Sequence, residues 1–206
     1  MIKKVKYIAD QKTLLWVETE NASIQIRYSD IQPYFADAHS SSFESGRCFV
    51  SGDYLIFTFI IADGQGGAVC VWDCRQNKLV HISDGAYCVA AALDNGKLYT
   101  LHDISNFVTP YHLRVFVCPF GTMNANTEGT ALYADQPIMV ENYTEAVQCA
   151  RLRVVNGRIE VLVGDKEILY SADENSACCM NNEFAVYYNS LEGKDSNLII
   201  QPGMLL

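Results

Sequence analysis

Residues 47–83 read RCFVSGDYLIFTFIIADGQGGAVCVWDCRQNKLVHIS, and this stretch decides the fold. Three turns rich in Gly, Asp and Asn divide it into four apolar runs of β-branched and aromatic residues, which are Arg47–Ser51, Tyr54–Ala62, Ala68–Arg75 and Leu79–Ser83. Runs of this length and composition, separated by short polar turns, are typical of antiparallel strands. The stretch therefore predicts a meander of four strands.

The hairpin that opens this meander recurs along the chain. Two short apolar runs joined by a polar turn are found around five positions, which are Asp10, Ser51, Asp94, Val155 and Met180. The first two intervals between these positions are 41 and 43 residues, close to the about 40–45 residues of a four-stranded propeller blade. We predict a single all-β domain over 1–206, propeller-like, with about five blades of three to four antiparallel strands.

A β-sandwich is the alternative, because the last two intervals are irregular at 61 and 25 residues. Two stretches interrupt the pattern, and we expect residues 30–46 and 119–150 to be irregular insertions. Within the second, Tyr143–Arg151 is the one candidate for a short helix, with Thr144 as its cap. Long insertions on a rigid β scaffold often carry function.

The third strand and turn of residues 47–83 carry a family resemblance. Val69–Val80 contains Trp72-Asp73 at the end of a strand, and it resembles a blade of the WD40 family, in which this dipeptide closes the third strand. The resemblance implies a propeller that binds proteins. It covers one blade. The chain departs from the family pattern at Gly85, which is followed by Ala86 rather than by histidine.

Composition and charge exclude several classes of protein. The chain has 206 residues, half of them apolar, with a net charge of -9 and a pI near 4.8. This charge argues against broad attraction to nucleic acid or to an anionic membrane. The longest apolar run, Tyr54–Ala62, is too short for a membrane-spanning helix, so we expect a soluble protein.

The cysteines and the first residues predict a cytosolic location. Met1–Tyr7 is basic and has no apolar run of a secretory signal behind it, so the eight cysteines are expected to be thiols rather than disulfides. The close pairs Cys70/Cys74 and Cys178/Cys179 lack zinc-ligand spacing, and no histidine stands at finger spacing from them. We predict small buried hydrophobic side chains and no metal site.

Catalytic signatures are missing from the sequence. It contains no phosphate-binding P-loop, no dinucleotide fingerprint, no H-E-x-x-H and no G-x-S-x-G. The glycine-rich Asp63–Gly67 lies between two predicted strands, which favours a hairpin loop over a phosphate site. We therefore expect no enzymatic activity, no catalytic residues and no cofactor.

Two pairs of residues are candidates for binding. His102-Asp103 is an adjacent acid-base pair, but neighbours on a strand face opposite sides, which favours a histidine satisfied at a strand end over a dyad. Tyr111-His112 follows Pro110 at the end of the loop Ser105–Pro110, and it could present two rings to a ligand or partner or equally cap a strand.

The acidic residues are concentrated near the C-terminus. Residues 141–206 hold ten of the twenty-four Asp and Glu, and four of these cluster, which are Asp165, Glu167, Asp173 and Glu174. They form either an acidic face for a basic partner or ordinary solvated turns.

Two hypotheses for function follow. The first is a non-catalytic cytosolic interaction module that binds a macromolecular partner through loops, in one variant an acidic inhibitor from a mobile element that covers a basic surface of a host effector. The second is a propeller that binds or hydrolyses a small molecule or glycan in a central funnel, with Asp94, His102, Asp103 and His112 as contributors.

Overall fold

The computed structural model describes residues 1–7, 13–34, 45–60, 67–85, 87–105, 108–132, 137–155, 158–164, 166–171, 184–189 and 196–199. The predicted all-β class is confirmed. The strands are β1 Ile2–Tyr7, β2 Thr13–Thr19, β3 Ser23–Arg27, β4 Ser45–Ser51, β5 Tyr54–Ile60, β6 Gly67–Asp73, β7 Lys78–Asp84, β8 Cys88–Asp94, β9 Lys97–Asp103, β10 Tyr111–Pro119, β11 Thr130–Leu132, β12 Ile138–Val140, β13 Arg151–Val155, β14 Arg158–Val163, β15 Lys166–Ser171, β16 Phe184–Asn189 and β17 Ser196–Ile199.

The chain divides into two compact units. The first comprises residues 1–86, 121–127 and 183–206, and the second comprises residues 87–120 and 128–182. The first unit has two sheets, with the strand orders β17-β1-β2-β3 and β16-β4-β5-β6-β7. The second unit has two sheets as well, with the orders β11-β10-β9-β8 and β13-β14-β15, and β12 also pairs with β10. All of the strand pairs in these sheets are antiparallel.

The meander predicted from residues 47–83 is present as β4 to β7. Its first hairpin pairs Ser51 with Tyr54 across Gly52, whose φ of +60° suits a residue without a side chain. All seven residues of β6 are buried, as expected of an inner strand with an almost continuous apolar sequence. Apolar side chains from β1, β2, β3 and this sheet form the core, including Val5, Leu15, Ile26 and Phe57.

The edge strand β7 is covered by part of the second predicted insertion. Ile82 N–H donates to Thr122 O (2.8 Å), Asn124 N–H donates to Ile82 O (3.1 Å), and Asp84 N–H donates to Thr127 O (2.9 Å). These bonds occupy backbone groups of β7 that an uncovered edge would offer to another chain. Residues 122–127 are therefore a structural part of the first unit, hydrogen-bonded to the edge of its sheet.

The Trp-Asp dipeptide organises the β6–β7 turn. Trp72 is buried and its Nε1–H donates to Asn77 Oδ1 (3.3 Å), while Asp73 Oδ1 accepts from the N–H groups of Arg75 (2.8 Å) and Gln76 (2.9 Å). Asn77 takes a φ of +51°, which asparagine tolerates better than most residues. An aspartate that accepts from the next backbone N–H groups is a common way to start a turn.

Four of the five predicted hairpins have both strands in place. Besides β4–β5, these are β1–β2, β8–β9 and β13–β14. In β8–β9 the turn residues Asn95 and Gly96 have φ values of +42° and +69°, as a two-residue type I′ turn requires. The fifth, around Met180, lies largely outside the described residues, and its second strand, β16, pairs with β4.

The two predicted insertions contain more regular structure than expected. Within residues 30–46, Asp30 and Ile31 end a short helix, Tyr28–Ile31, and a 3-10 turn follows over Gln32–Tyr34, while residues 35–44 lie outside the described part. Ile31 is fully buried, so it anchors this segment to the core.

Within residues 119–150, β11 and β12 both pair with β10, and a π-helix spans Thr144–Gln148. A short helix was predicted here, but its cap was assigned wrongly. Asn142 Oδ1 accepts from Thr144 N–H (2.8 Å), so the capping side chain belongs to Asn142 and not to Thr144. Among the described residues, no helix has the length and apolar character needed to cross a membrane.

Candidate functional site

The loop between β9 and β10 is fixed by the carboxylate of Asp103. This side chain is 1% exposed, and its Oδ1 accepts from Ser105 Oγ (2.6 Å), Ser105 N–H (3.0 Å) and His112 N–H (3.2 Å). Ile104 N–H donates in turn to His112 O (2.8 Å). Asp103 thus holds both ends of the loop, which gives the start of β10 a defined position.

His102 and Asp103 lie side by side in β9, where strand geometry points their side chains to opposite faces. The His102 ring packs on Phe116 of β10, with ring centroids 4.9 Å apart, and it is 8% exposed. His102 pairs in register with Arg114, and Asp103 pairs with Leu113. The adjacent pair is therefore divided between two faces of the sheet, as strand alternation predicts.

Tyr111 and His112 are the first two residues of β10 rather than part of the preceding loop. Tyr111 is only 7% exposed and packs edge-on against Tyr143, with ring centroids 5.9 Å apart. Little of the Tyr111 ring is therefore exposed to a partner, and its role in binding stays a prediction. Its phenol ring is covered within the sheet, and the exposed aromatic residue at this place is Tyr143, at 42%.

Three exposed apolar side chains of the described part of the second unit lie near this strand start. Val108 is 65% exposed, Met139 is 61% exposed and Tyr143 is 42% exposed. Met139 of β12 lies directly opposite His112 of β10. We call Val108, His112, Met139 and Tyr143 the β10 surface.

These four residues are connected through short contacts. Val108 N–H donates to Ser105 O (3.2 Å), and Ser105 is held by Asp103, which also binds His112. Tyr143 packs on Tyr111, the neighbour of His112 in β10, and the Tyr111 side chain points to the opposite, buried face of the strand. Large exposed apolar side chains that gather on a rigid scaffold are typical of an interaction site.

β12 adds an uncovered strand edge to this surface. In the part of the chain that the structure describes, β12 pairs with β10 alone. Its residues alternate, with Ile138 and Val140 buried and Met139 exposed. A strand of a partner could therefore extend the sheet beyond β12, with Met139 exposed on one face.

The four residues proposed for a central funnel do not converge. Asp94 ends β8 and pairs with Lys97, whereas Cys88, at the other end of β8, pairs with His102. The two ends are six residue steps apart along the strand, which is about 20 Å. Asp94 therefore does not share a site with His102, Asp103 and His112. This distance disfavours the funnel hypothesis in the form predicted from the sequence.

Three of the four acidic residues proposed as a binding face are not described by the structure. Asp165, Asp173 and Glu174 lie outside the described residues. Glu167 belongs to β15, where its backbone pairs with Leu162. Their use as a binding face stays a prediction.

Sequence reasoning found His112 but missed the other members of the β10 surface. The alternation in Ile138-Met139-Val140 carries a usable signal, because an apolar residue on the outer face of a short strand is a candidate contact. Tyr143 and Val108 offer no such signal, since their exposure depends on how the chain turns before the helix and before β10.

Groups of histidine, cysteine, aspartate and glutamate that could hold a metal ion are not found among the described residues. No protein-family model matches the chain, and no curated protein matches its sequence. The geometry of the chain itself therefore carries the functional argument.

Proposed function

We propose that this protein is a non-catalytic interaction module that binds a macromolecular partner through the β10 surface. The observation that carries the proposal is that three exposed apolar side chains, Val108, Met139 and Tyr143, flank a strand start that Asp103 holds in place. Loss of water from such side chains on binding contributes about 25 cal/mol per Å² of apolar area. The open edge of β12 supplies backbone hydrogen bonds that orient the partner.

The proposal includes a cytosolic location and a small propeller. The six described cysteines form no disulfide with one another, which suits a reducing compartment. Each of the sheets β4-β5-β6-β7 and β8-β9-β10-β11 follows chain order, as a propeller blade does, and this favours the propeller over the β-sandwich. The likeness of Trp72-Asp73 to WD40 blades is part of the same proposal.

A matched pair of variants tests the surface. Met139→Asp places a charge on an exposed residue of the β10 surface, and Met123→Asp places the same charge on an exposed methionine of the first unit. From the native host, tagged wild-type protein should retain a stoichiometric macromolecule. Met139→Asp should lose it by about tenfold or more, because a carboxylate is costly to bury in an apolar contact, and Met123→Asp should keep it.

Two outcomes contradict the proposal. One is equal retention by both variants, which would place the interface elsewhere. The other is a protein without a macromolecular partner whose melting temperature rises with a metabolite or glycan, which would favour the funnel hypothesis.

A further inference from the structure

Three arginines share the outer face of the β13–β14 hairpin. Arg151 and Arg153 alternate along β13 with the buried Leu152 and Val154. Across the hairpin, Arg151 pairs with Leu162, Arg153 with Glu160, and Val155 with Arg158. Since directly paired residues of two strands point to the same face, Arg158 lies on the face of the other two arginines.

Arginine is unusually concentrated in this hairpin compared with the rest of the chain. The sequence has seven arginines and a net charge of -9, yet three of the seven fall within residues 151–158. Between residues 151 and 163 the one acidic residue is Glu160. The outer face of this hairpin is therefore cationic on an acidic protein.

Two of the three arginines are available to an external anion. Arg151 and Arg158 are exposed, and neither has an ion-pair partner among the residues whose side chains the structure describes. Arg153 is engaged, since its Nε lies 3.6 Å from Glu160 Oε2. Half-buried Leu162 lies opposite Arg151 and adds an apolar contact to the same face.

The spacing of these groups selects the kind of anion. A guanidinium group binds carboxylates and phosphates through two parallel hydrogen bonds. Arg158 lies opposite Val155, four residues from Arg151 along β13, so Arg151 and Arg158 are about 13 Å apart along the strands, the spacing of side chains four residues apart in an extended peptide. Residues 151–163 contain no aromatic side chain, so this face lacks the stacking platform that single-stranded nucleic acid prefers.

We propose that the outer face of the β13–β14 hairpin binds an extended acidic segment of a partner protein, in which two carboxylates four residues apart pair with Arg151 and Arg158 beside Leu162. This site is separate from the β10 surface, and it stands if the β10 surface proves inactive.

The test measures binding of a fluorescein-labelled hexapeptide of alternating glutamate and valine to the full chain by fluorescence anisotropy. Binding should weaken several-fold between about 0.05 M and about 0.15 M salt, because exposed charges are screened over that range. The same peptide with glutamine in place of glutamate should not bind. Oligothymidylate of the same length is the competing probe, and tighter binding of it overturns the choice of a peptide.

Variants locate the site. Arg151→Gln/Arg158→Gln should weaken binding of the acidic peptide by about tenfold or more, since both available guanidinium groups are lost. The control Lys78→Gln/Lys97→Gln removes the same charge from two other exposed positions and should change binding by less than about twofold. Equal weakening by the two double variants would show attraction without a site and would overturn the proposal.

Glu160→Gln is expected to strengthen binding of the acidic peptide, whereas the arginine variants weaken it. It releases Arg153 from its ion pair and removes the one carboxylate that β13 and β14 carry on this face, so the acidic peptide should bind about threefold more tightly. A damaged fold cannot produce this gain. Unchanged or weaker binding by Glu160→Gln, with an unchanged circular dichroism spectrum, would contradict the role given to this face.

Discussion

The carboxylate of Asp103, at the end of β9, accepts a hydrogen bond from the backbone N–H of His112, at the start of β10, over 3.2 Å. Two further bonds from Ser105 reach the same oxygen. This oxygen therefore connects the two strands and the loop between them. It fixes the position of Ser105 in the loop and of His112, which belongs to the β10 surface.

Replacement of Asp103 should destabilise the second unit. Asp103→Ala removes three hydrogen bonds and leaves the N–H of His112 without this acceptor, and we expect a loss of about 2–4 kcal/mol in the free energy of unfolding. Asp103→Asn keeps an oxygen at the same position and should lose about 1 kcal/mol. Urea denaturation measures both values. Equal losses would show that the oxygen is not what holds the loop.

Gly85 should tolerate no side chain. A Cβ atom at this position would lie 2.2 Å from Val69 N and 2.3 Å from Ala68 C, which are backbone atoms of the inner strand β6. Gly85→Ala must therefore displace backbone, and we expect a loss of about 3 kcal/mol or more in the free energy of unfolding.

Gly96→Ala is the matched control for Gly85→Ala. A Cβ atom at Gly96 would meet nothing within 4 Å, so the cost comes from its φ of +69° alone. We expect a loss of about 1–2 kcal/mol. If Gly96→Ala costs as much as Gly85→Ala in thermal or urea unfolding, close packing on β6 is not the reason that residue 85 is a glycine.

The parts of the fold that were predicted correctly depend on signals between near neighbours in the chain. Asn95-Gly96 takes positive φ at both residues, so the β8–β9 hairpin could be predicted from the dipeptide alone. The meander β4 to β7 follows from apolar runs between short turns.

The parts that were missed depend on distant residues. The pairing of β7 with residues 122–127 joins positions about forty residues apart, and no local pattern specifies it. That Asp103 holds the β9–β10 loop could not be predicted either. Its hydrogen bond from His112 N–H depends on the register of β9 and β10. Sequence alternation separated His102 from Asp103 correctly, but it gave no information on which neighbour binds the carboxylate.

Thiol reactivity should differ sharply among the described cysteines. Cys149 is exposed, whereas burial raises the pKa of Cys70 well above its usual value. Burial, with the nearby carboxylates of Asp73 and Asp53, raises the pKa of Cys74 to about 12. Because the thiolate is the reactive form, iodoacetamide at about pH 8 should label Cys149 well before Cys70 and Cys74.

Mass spectrometry of the labelled peptides measures this order. Labelling in urea is the control, and it should make the three cysteines react alike because unfolding removes burial. Native labelling of Cys74 as fast as that of Cys149 would contradict the buried position of the Cys74 thiol.

Stability should fall in mild acid because of His81. This side chain is fully buried on β7, its Nε2 lies 3.0 Å from Ser83 Oγ, and burial lowers its pKa from 6.5 to about 4. Below pH 6.5 the unfolded chain binds a proton at His81 that the folded chain does not. The free energy of unfolding therefore falls as the pH drops from about 6.5 towards 4, and this site accounts for about 2 kcal/mol by pH 5.

The measurement compares urea unfolding at about pH 7.5 and about pH 5 for the wild type and for His81→Gln, whose side chain does not titrate in this range. The variant loses some stability at both pH values because the buried ring packs in the sheet, but its free energy of unfolding should change less between them, by about 2 kcal/mol. The carboxylates of the two proteins are the same, so their titration cancels in this difference. If the wild type and His81→Gln lose the same stability on acidification, then the folded protein accommodates a protonated His81, and the buried ring is not the acid-sensitive group.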